Sequence, residues 1–132
     1  MKKRVLLVED NKATIDVLEQ ALQYLGYDVR VATTGLEAVK MAVSELPDLV
    51  VMDIMLPKLD GFEATRRLRE NPSTRDVPIL AATAKTMPGD KERCLEAGCD
   101  AYIAKPFDYR ELRNAINGAF KQRLAKQHTS SE

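Results

Sequence analysis

The stretch "DLVVMDIMLPKLDG", Asp48 to Gly61, runs four apolar residues, Leu49 to Met52, straight into the carboxylate of Asp53. The apolar run reads as a buried strand. An ionised carboxylate is costly to bury without partners, so Asp53 requires either exposure at the strand end or a compensating site. Which of the two applies depends on what the rest of the chain brings to that point.

On either side of this stretch, short β-rich runs alternate with longer segments of helical period, five times over. The runs are Arg4 to Val8, Asp28 to Ala32, Leu49 to Met52, Pro78 to Ala82 and Ala101 to Ala104. Ile15, Leu18, Leu22 and Leu25 lie on one stripe of a first helix, which Gly26 can stop in the left-handed conformation. Val39, Ala42, Val43 and Leu46 mark a second helix that ends before Pro47, and Phe62, Thr65 and Leu68 a third. The fourth, from Pro88 to Ala97, has few apolar anchors. The last opens with Asp108 and Glu111 at capping-box spacing, continues with Leu112, Ile116, Ala119 and Phe120 on one face, and is expected to end near Arg123.

Strict alternation of this kind predicts an α/β fold, a five-stranded parallel sheet with helices on both faces, because parallel neighbours need crossover connections of one hand. All strands then point the same way, and ligands bind beyond their carboxyl ends. Glu9 and Asp10 follow the first strand, Asp53 the third, Thr83 the fourth, and Lys105 with Pro106 the fifth. Each has an ordinary explanation alone, as a solvated acid, a cap or a surface lysine. Gathered on one edge of an otherwise apolar sheet, they read as a site. Were the first and third strands neighbours, their carboxylates would sit roughly 5 Å apart and repel by about 3 kcal/mol at an effective dielectric near 20. Such a pocket suits Mg2+, a hard cation that takes oxygen ligands, with Asp10 and Asp53 as direct ligands and Glu9 holding a metal water.

Composition narrows the function. The 132 residues fit one domain, and 20 acidic against 20 basic residues leave no global field to draw the protein to nucleic acid or to an anionic membrane. The opening "MKKRVLLVED" has too short an apolar run for a signal peptide, and no segment reaches membrane length. Cys94 and Cys99 match no metal-ligand or CxxC pattern and read as reduced thiols, which points to a cytoplasmic location. The sole histidine, His128, reads as a solvated residue of a polar tail, 124–132, behind a domain spanning 1–123.

The segments "LLVEDN", "DLVVMDIMLPKLDGFE", "ILAATA" and "AYIAKPF" together closely resemble the receiver domain of two-component response regulators, in order and nearly end to end. The resemblance implies a doubly wound, flavodoxin-like (βα)5 sheet with strand order 2-1-3-4-5. It implies Asp53 as phosphoryl acceptor, Mg2+ held by Glu9, Asp10, Asp53 and the main-chain carbonyl of Met55, and phosphoryl oxygens gripped by Thr83 and Lys105. Thr83 and Tyr102 would form the switch, the Lys105–Pro106 bond would be cis, and Met55 and Lys85 would flank the water that hydrolyses the phosphoryl group. The donor would be a phosphohistidine on a sensor histidine kinase or histidine phosphotransfer protein, and the target a protein met by the fourth helix, fifth strand and fifth helix. No direct contact with nucleic acid or membrane is expected.

Three rivals fit less well. A flavodoxin-like electron carrier cradles a phosphate in its first loop, where "EDNKAT" presents two acids. A haloacid-dehalogenase-type phosphatase needs Asp-x-Asp, and Met55 stands two residues after Asp53. A DNA-binding regulator needs an output domain, for which nine residues after Arg123 leave no room, and Asp100 followed by Ala101 lacks the acidic pair of its dimerising branch. The expectation is therefore a stand-alone receiver that switches its interaction surface and has no kinase phosphate loop of its own.

Overall fold

The computed structural model describes residues 2–56, 59–83 and 88–130, the last four by backbone alone. Strands β1 (Arg4–Val8), β2 (Asp28–Ala32), β3 (Leu49–Asp53), β4 (Ile79–Thr83) and β5 (Ala101–Ala104) alternate with helices α1 (Lys12–Tyr24), α2 (Gly35–Glu45), α3 (Gly61–Glu70), α4 (Asp90–Ala97) and α5 (Tyr109–Ser130). All four pairings are parallel, in the order β2-β1-β3-β4-β5. The chain thus reverses direction across the sheet between β1 and β3. At such a reversal the connecting loops diverge and leave a crevice at the strand ends.

Alternate residues of each strand face opposite layers. Leu6, Val8, Val50, Met52, Ile79 and Ala81 pack with Ala38 and Ala42 of α2, Ala64 and Leu68 of α3, and Cys94 and Ala97 of α4. On the other face Val5, Leu7, Leu49, Val51, Leu80 and Ala82 meet Leu18, Ala21 and Leu22 of α1 and Leu112, Ile116 and Ala119 of α5. Burial on both faces is why β3 and β4 read as continuous apolar runs with no alternation.

Local chemistry sets the helix ends. Asn11 Oδ1 accepts from Thr14 N at 3.0 Å to start α1, and the helix stops at Gly26, whose φ of 98° is left-handed, with Tyr27 N donating back to Leu22 O at 3.0 Å. In α5 the capping box is reciprocal: Glu111 N donates to Asp108 Oδ1 at 2.8 Å and Asp108 N to Glu111 Oε1 at 3.1 Å. This helix does not end near Arg123 but runs to Ser130. Residues 123–128 contain no glycine or proline to stop it, and Lys126 is tied to Asp100 at 3.1 Å.

Two glycines shape the turn after β3. A Cβ on Gly61 would lie 2.5 Å from the carbonyl oxygen of Asp53, and one on Gly35 only 2.0 Å from that of Leu59. Bare backbone at these two points lets α3 and the first residue of α2 close on the loop that leaves Asp53, so the carboxylate stands on a braced turn.

Candidate functional site

Register brings the strand-end groups together. Val8 is level with Met52 in the β1–β3 pair, so the next residues, Glu9 and Asp53, emerge side by side, with Asp10 beyond them. Carboxylate oxygens of Glu9, Asp10 and Asp53 lie within 4.8 Å of one another, Glu9 and Asp53 buried and Asp10 exposed. This answers the burial problem posed by Asp53. It sits 7% exposed at the strand end, and its cost is shared with a cation and a backbone donor. Met55 N donates to Asp53 Oδ1 at 3.0 Å, and the Lys105 ammonium lies 4.0 Å from Oδ2.

Lys105 comes from the end of β5, two strands and roughly 10 Å from β3, a gap that its four-carbon stem and the Asp53 side chain close from opposite sides to a 4.0 Å contact. Its tightest contact, however, is with Glu9 Oε1. Glu9 Oε2 in turn accepts from the backbone N–H of Asn11 at 3.2 Å. The lysine is therefore shared between two carboxylates and lies closer to Glu9. Thr83 is buried at the end of β4, where its carbonyl accepts from Lys105 N at 2.9 Å. The Lys105–Pro106 bond is cis. Met55 is an exposed side chain beside the carboxylates. Lys85 lies outside the described residues. The Tyr102 ring packs on the α2–α3–α4 layer, and its buried hydroxyl finds no hydrogen-bond partner among the described residues, so desolvation raises its pKa.

Burial pushes the Asp53 carboxyl up to about 6, against the lowering pull of the Met55 N–H and Lys105 and with a further push from Glu9. Between pH values of about 4 and 6 the folded chain holds a proton that the unfolded chain has released, so folding gains on acidification through that window and loses as pH rises through it. Asp53→Asn carries no such proton. In metal-free protein near pH 7.5 the variant should melt above wild type. The gain should be about 1 kcal/mol, after allowing for screening of a carboxylate near solvent, or roughly 3–5 °C. The gap should close toward pH 4. Melting curves from pH 4 to 8 in chelator check this, and parallel curves for the two proteins would refute it.

Sequence reasoning named the ionisable groups but missed Asn11, which both caps α1 and holds Glu9, although an asparagine just before an apolar-periodic run is a usable signal. It also gave Asp100 no structural role. That carboxylate is 4% exposed at the opposite end of the sheet, where it accepts from Ile79 N, Arg69, Arg123 and Lys126. The oxygen donors at the Asp53 end suit a hard divalent cation: three carboxylates from two adjacent strands converge, and burial with the neighbouring Glu9 charge disfavours the ionised form of Asp53, a cost that a cation offsets. Among the described residues no helix is long and apolar enough to cross a membrane.

Comparison with known proteins places this arrangement. A model described as the response regulator receiver domain matches residues 5–117. The alkaline phosphatase synthesis transcriptional regulatory protein PhoP of Bacillus subtilis is 42% identical over 122 residues, 92% of this chain and 50% of PhoP, so the chain spans about half that relative's length. The polar-differentiation response regulator DivK of Brucella ovis is 41% identical over 106 residues, 80% of this chain and 86% of DivK. Among solved structures, the receiver domain of a sensor histidine kinase from Pseudomonas aeruginosa, with a magnesium ion coordinated in its active-site cleft, is 43% identical. It has a TM-score of 0.83 and covers 89% of this chain and 96% of that one. With its five parallel strands in the order 2-1-3-4-5 and three carboxylates at the reversal, the chain belongs to the response regulator receiver domain family of two-component systems.

Proposed function

We propose that the chain accepts a phosphoryl group on Asp53 from a phosphohistidine of a sensor histidine kinase or histidine phosphotransfer protein, acting in the cytoplasm. The observation that carries this reading is Asp53 itself, a carboxylate at a strand end with two further carboxylates and one ammonium group around it. A carboxylate oxygen is a competent nucleophile toward phosphorus: the new P–O bond forms on Asp53 as the donor's P–N bond breaks, and the histidine leaves with the electron pair. Glu9, Asp10, Asp53 and the Met55 carbonyl would hold Mg2+, which when bound offsets negative charge on the transferring oxygens. Lys105 contributes positive charge from the other side, moving its balance from Glu9 toward the oxygens that arrive at Asp53.

Thr83, one residue past the level of Asp53 on the neighbouring strand, is placed to hydrogen-bond a phosphoryl oxygen. Its displacement would pass to Tyr102 and so to α4, β5 and α5, the face proposed to meet a protein target. The groove between α1 and the β5–α5 turn, lined by Ala13, Thr14, Val17, Leu18, Pro106 and Phe107, shares Lys105 with the site and offers apolar contact for the donor.

Metal binding tests the pocket. A ligand that binds only the folded state raises its melting temperature with concentration, so Mg2+ should stabilise the wild type. Asp10→Asn removes one charged ligand and should blunt the rise. Equal responses would exclude Asp10 as a ligand. Signal lifetime tests Met55 and Lys85. Methionine offers only a weak sulfur acceptor, and a charged lysine cannot take a proton from water, so neither helps to orient the attacking water. Met55→Asn combined with Lys85→Glu should lose phosphate faster than wild type. An unchanged or slower rate would refute the role of these side chains.

A further inference from the structure

Outside the phosphoryl pocket the molecule carries a second group of chemically reactive atoms, at the joint between α4 and β5. Cys94 and Cys99 are both free and both fully buried. They close a helix-ending turn: Cys99 N donates to Cys94 O at 2.9 Å and Gly98 N to Leu95 O at 3.1 Å, with Gly98 left-handed at φ 118°. In a turn of this kind the side chains at the two ends meet, ordinarily as a hydrophobic contact. Here both are thiols, and they lie in the same buried layer of the core.

We propose that Cys94 and Cys99 form a redox-active dithiol that a peroxide oxidises to an intramolecular disulfide, fixing the end of α4 to the start of β5. The roles of the two sulfurs differ. Cys99 has Cys94 beside it, lies 3.8 Å from Thr65 Oγ1 and is near the Arg69 guanidinium, and these neighbours hold its thiol below the usual range against the opposing effect of burial. The Cys94 thiol is pushed up, first by its neighbour Cys99 and then by burial. Cys99 is thus the attacking sulfur and Cys94 the resolving one. The Cys99 thiolate attacks one peroxide oxygen, the O–O bond breaks and water leaves, taking up a proton and giving a sulfenic acid. The Cys94 sulfur then displaces the sulfenic oxygen, which leaves as a second water. Two thiols and one peroxide become one disulfide and two waters, and an added dithiol reverses the change.

Access comes through α4. This helix has only eight residues, and Gly89 at its N-cap supplies no side-chain acceptor. A short helix with one end unsecured opens without global unfolding, and its opening lifts Cys94 and Ala97 from the layer they share with Cys99, uncovering the attacking sulfur. The inference goes beyond phosphoryl transfer and stands independently of it, since no group of the Asp53 pocket takes part.

The test uses the full chain, reduced and folded, exposed to hydrogen peroxide. Both thiols should be lost together, with a mass decrease of two hydrogens, no dimer on a non-reducing gel, and one proteolytic peptide containing both cysteines linked. Dithiothreitol should restore the thiols. Cys94→Ser should stop at a sulfenic acid on Cys99 that dimedone traps. In the oxidised protein, amide exchange over the last turn of α4 should slow by about tenfold. The proposal is overturned if the thiols survive peroxide for as long as the protein stays folded, if they pass to sulfinic acid or intermolecular dimers, or if the disulfide forms and exchange in α4 is unchanged.

Discussion

Incubated with Mg2+ and acetyl phosphate, the wild-type chain should gain one phosphoryl group, and Asp53→Asn should fall to background labelling. The nitrogen lone pair of an amide is delocalised and its oxygen carries no full charge, so asparagine is not a competent nucleophile toward phosphorus. The substitution preserves shape: the side-chain oxygen can still accept from Met55 N, and Lys105 keeps Glu9 as its partner. Loss of labelling in a variant that melts no lower than wild type therefore reports chemistry and not misfolding. Glu9 and Asp10 are the alternative acceptors nearest at hand. Equal labelling of Asp53→Asn, or a phosphoryl group mapped to either neighbour in the wild type, would sink the assignment.

Asp100→Ala should destabilise the fold by about 3–5 kcal/mol, the range found when one partner of a buried ion pair is removed. For a chain of this size that corresponds to a fall in melting temperature of roughly 10–20 °C. The reason is what remains behind. Arg69 and Arg123, with side chains 15% and 12% exposed, lose their carboxylate, and the N–H of Ile79, which donates to Asp100 Oδ2 at 2.9 Å, is left without it. Arg69 retains the carbonyls of Gly98, Arg75 and Val77, which softens the loss without supplying a counter-charge. Lys126→Ala on the same carboxylate is the internal control. Its side chain is 46% exposed, and its removal should cost under about 1 kcal/mol. Denaturant unfolding of the three proteins decides the matter, and similar small losses for both variants would show that Asp100 does not hold this end of the sheet.

Much of this protein is legible in its sequence, for a local reason. Helical period, capping residues and apolar runs are properties of neighbours along the chain, so five strands and five helices can be placed from them, with β3 and β4 each ending one residue later than expected and β4 also beginning one later, at Ile79. That extra residue is Asp53 in one case and Thr83 in the other, which continue the ladder although they belong to the site. The far end of α5 escapes such a reading because polarity alone is not a stop. Helix termination needs a left-handed residue or a missing donor, and neither glycine nor proline occurs after Gly118.

Residues a few positions apart were thus enough to set the order of elements, the direction of the sheet and the identity of the groups at its carboxyl edge. Which of those groups hold one another was settled by long-range packing alone. Lys105 meets Glu9 across 96 positions of chain, Arg69 reaches Asp100 across 31, and Gly35 must lack a side chain because a carbonyl 24 residues later occupies its place. Contacts of this kind are set by strand order and register, and a buried charge or thiol takes its pKa from neighbours that only the folded packing brings within reach.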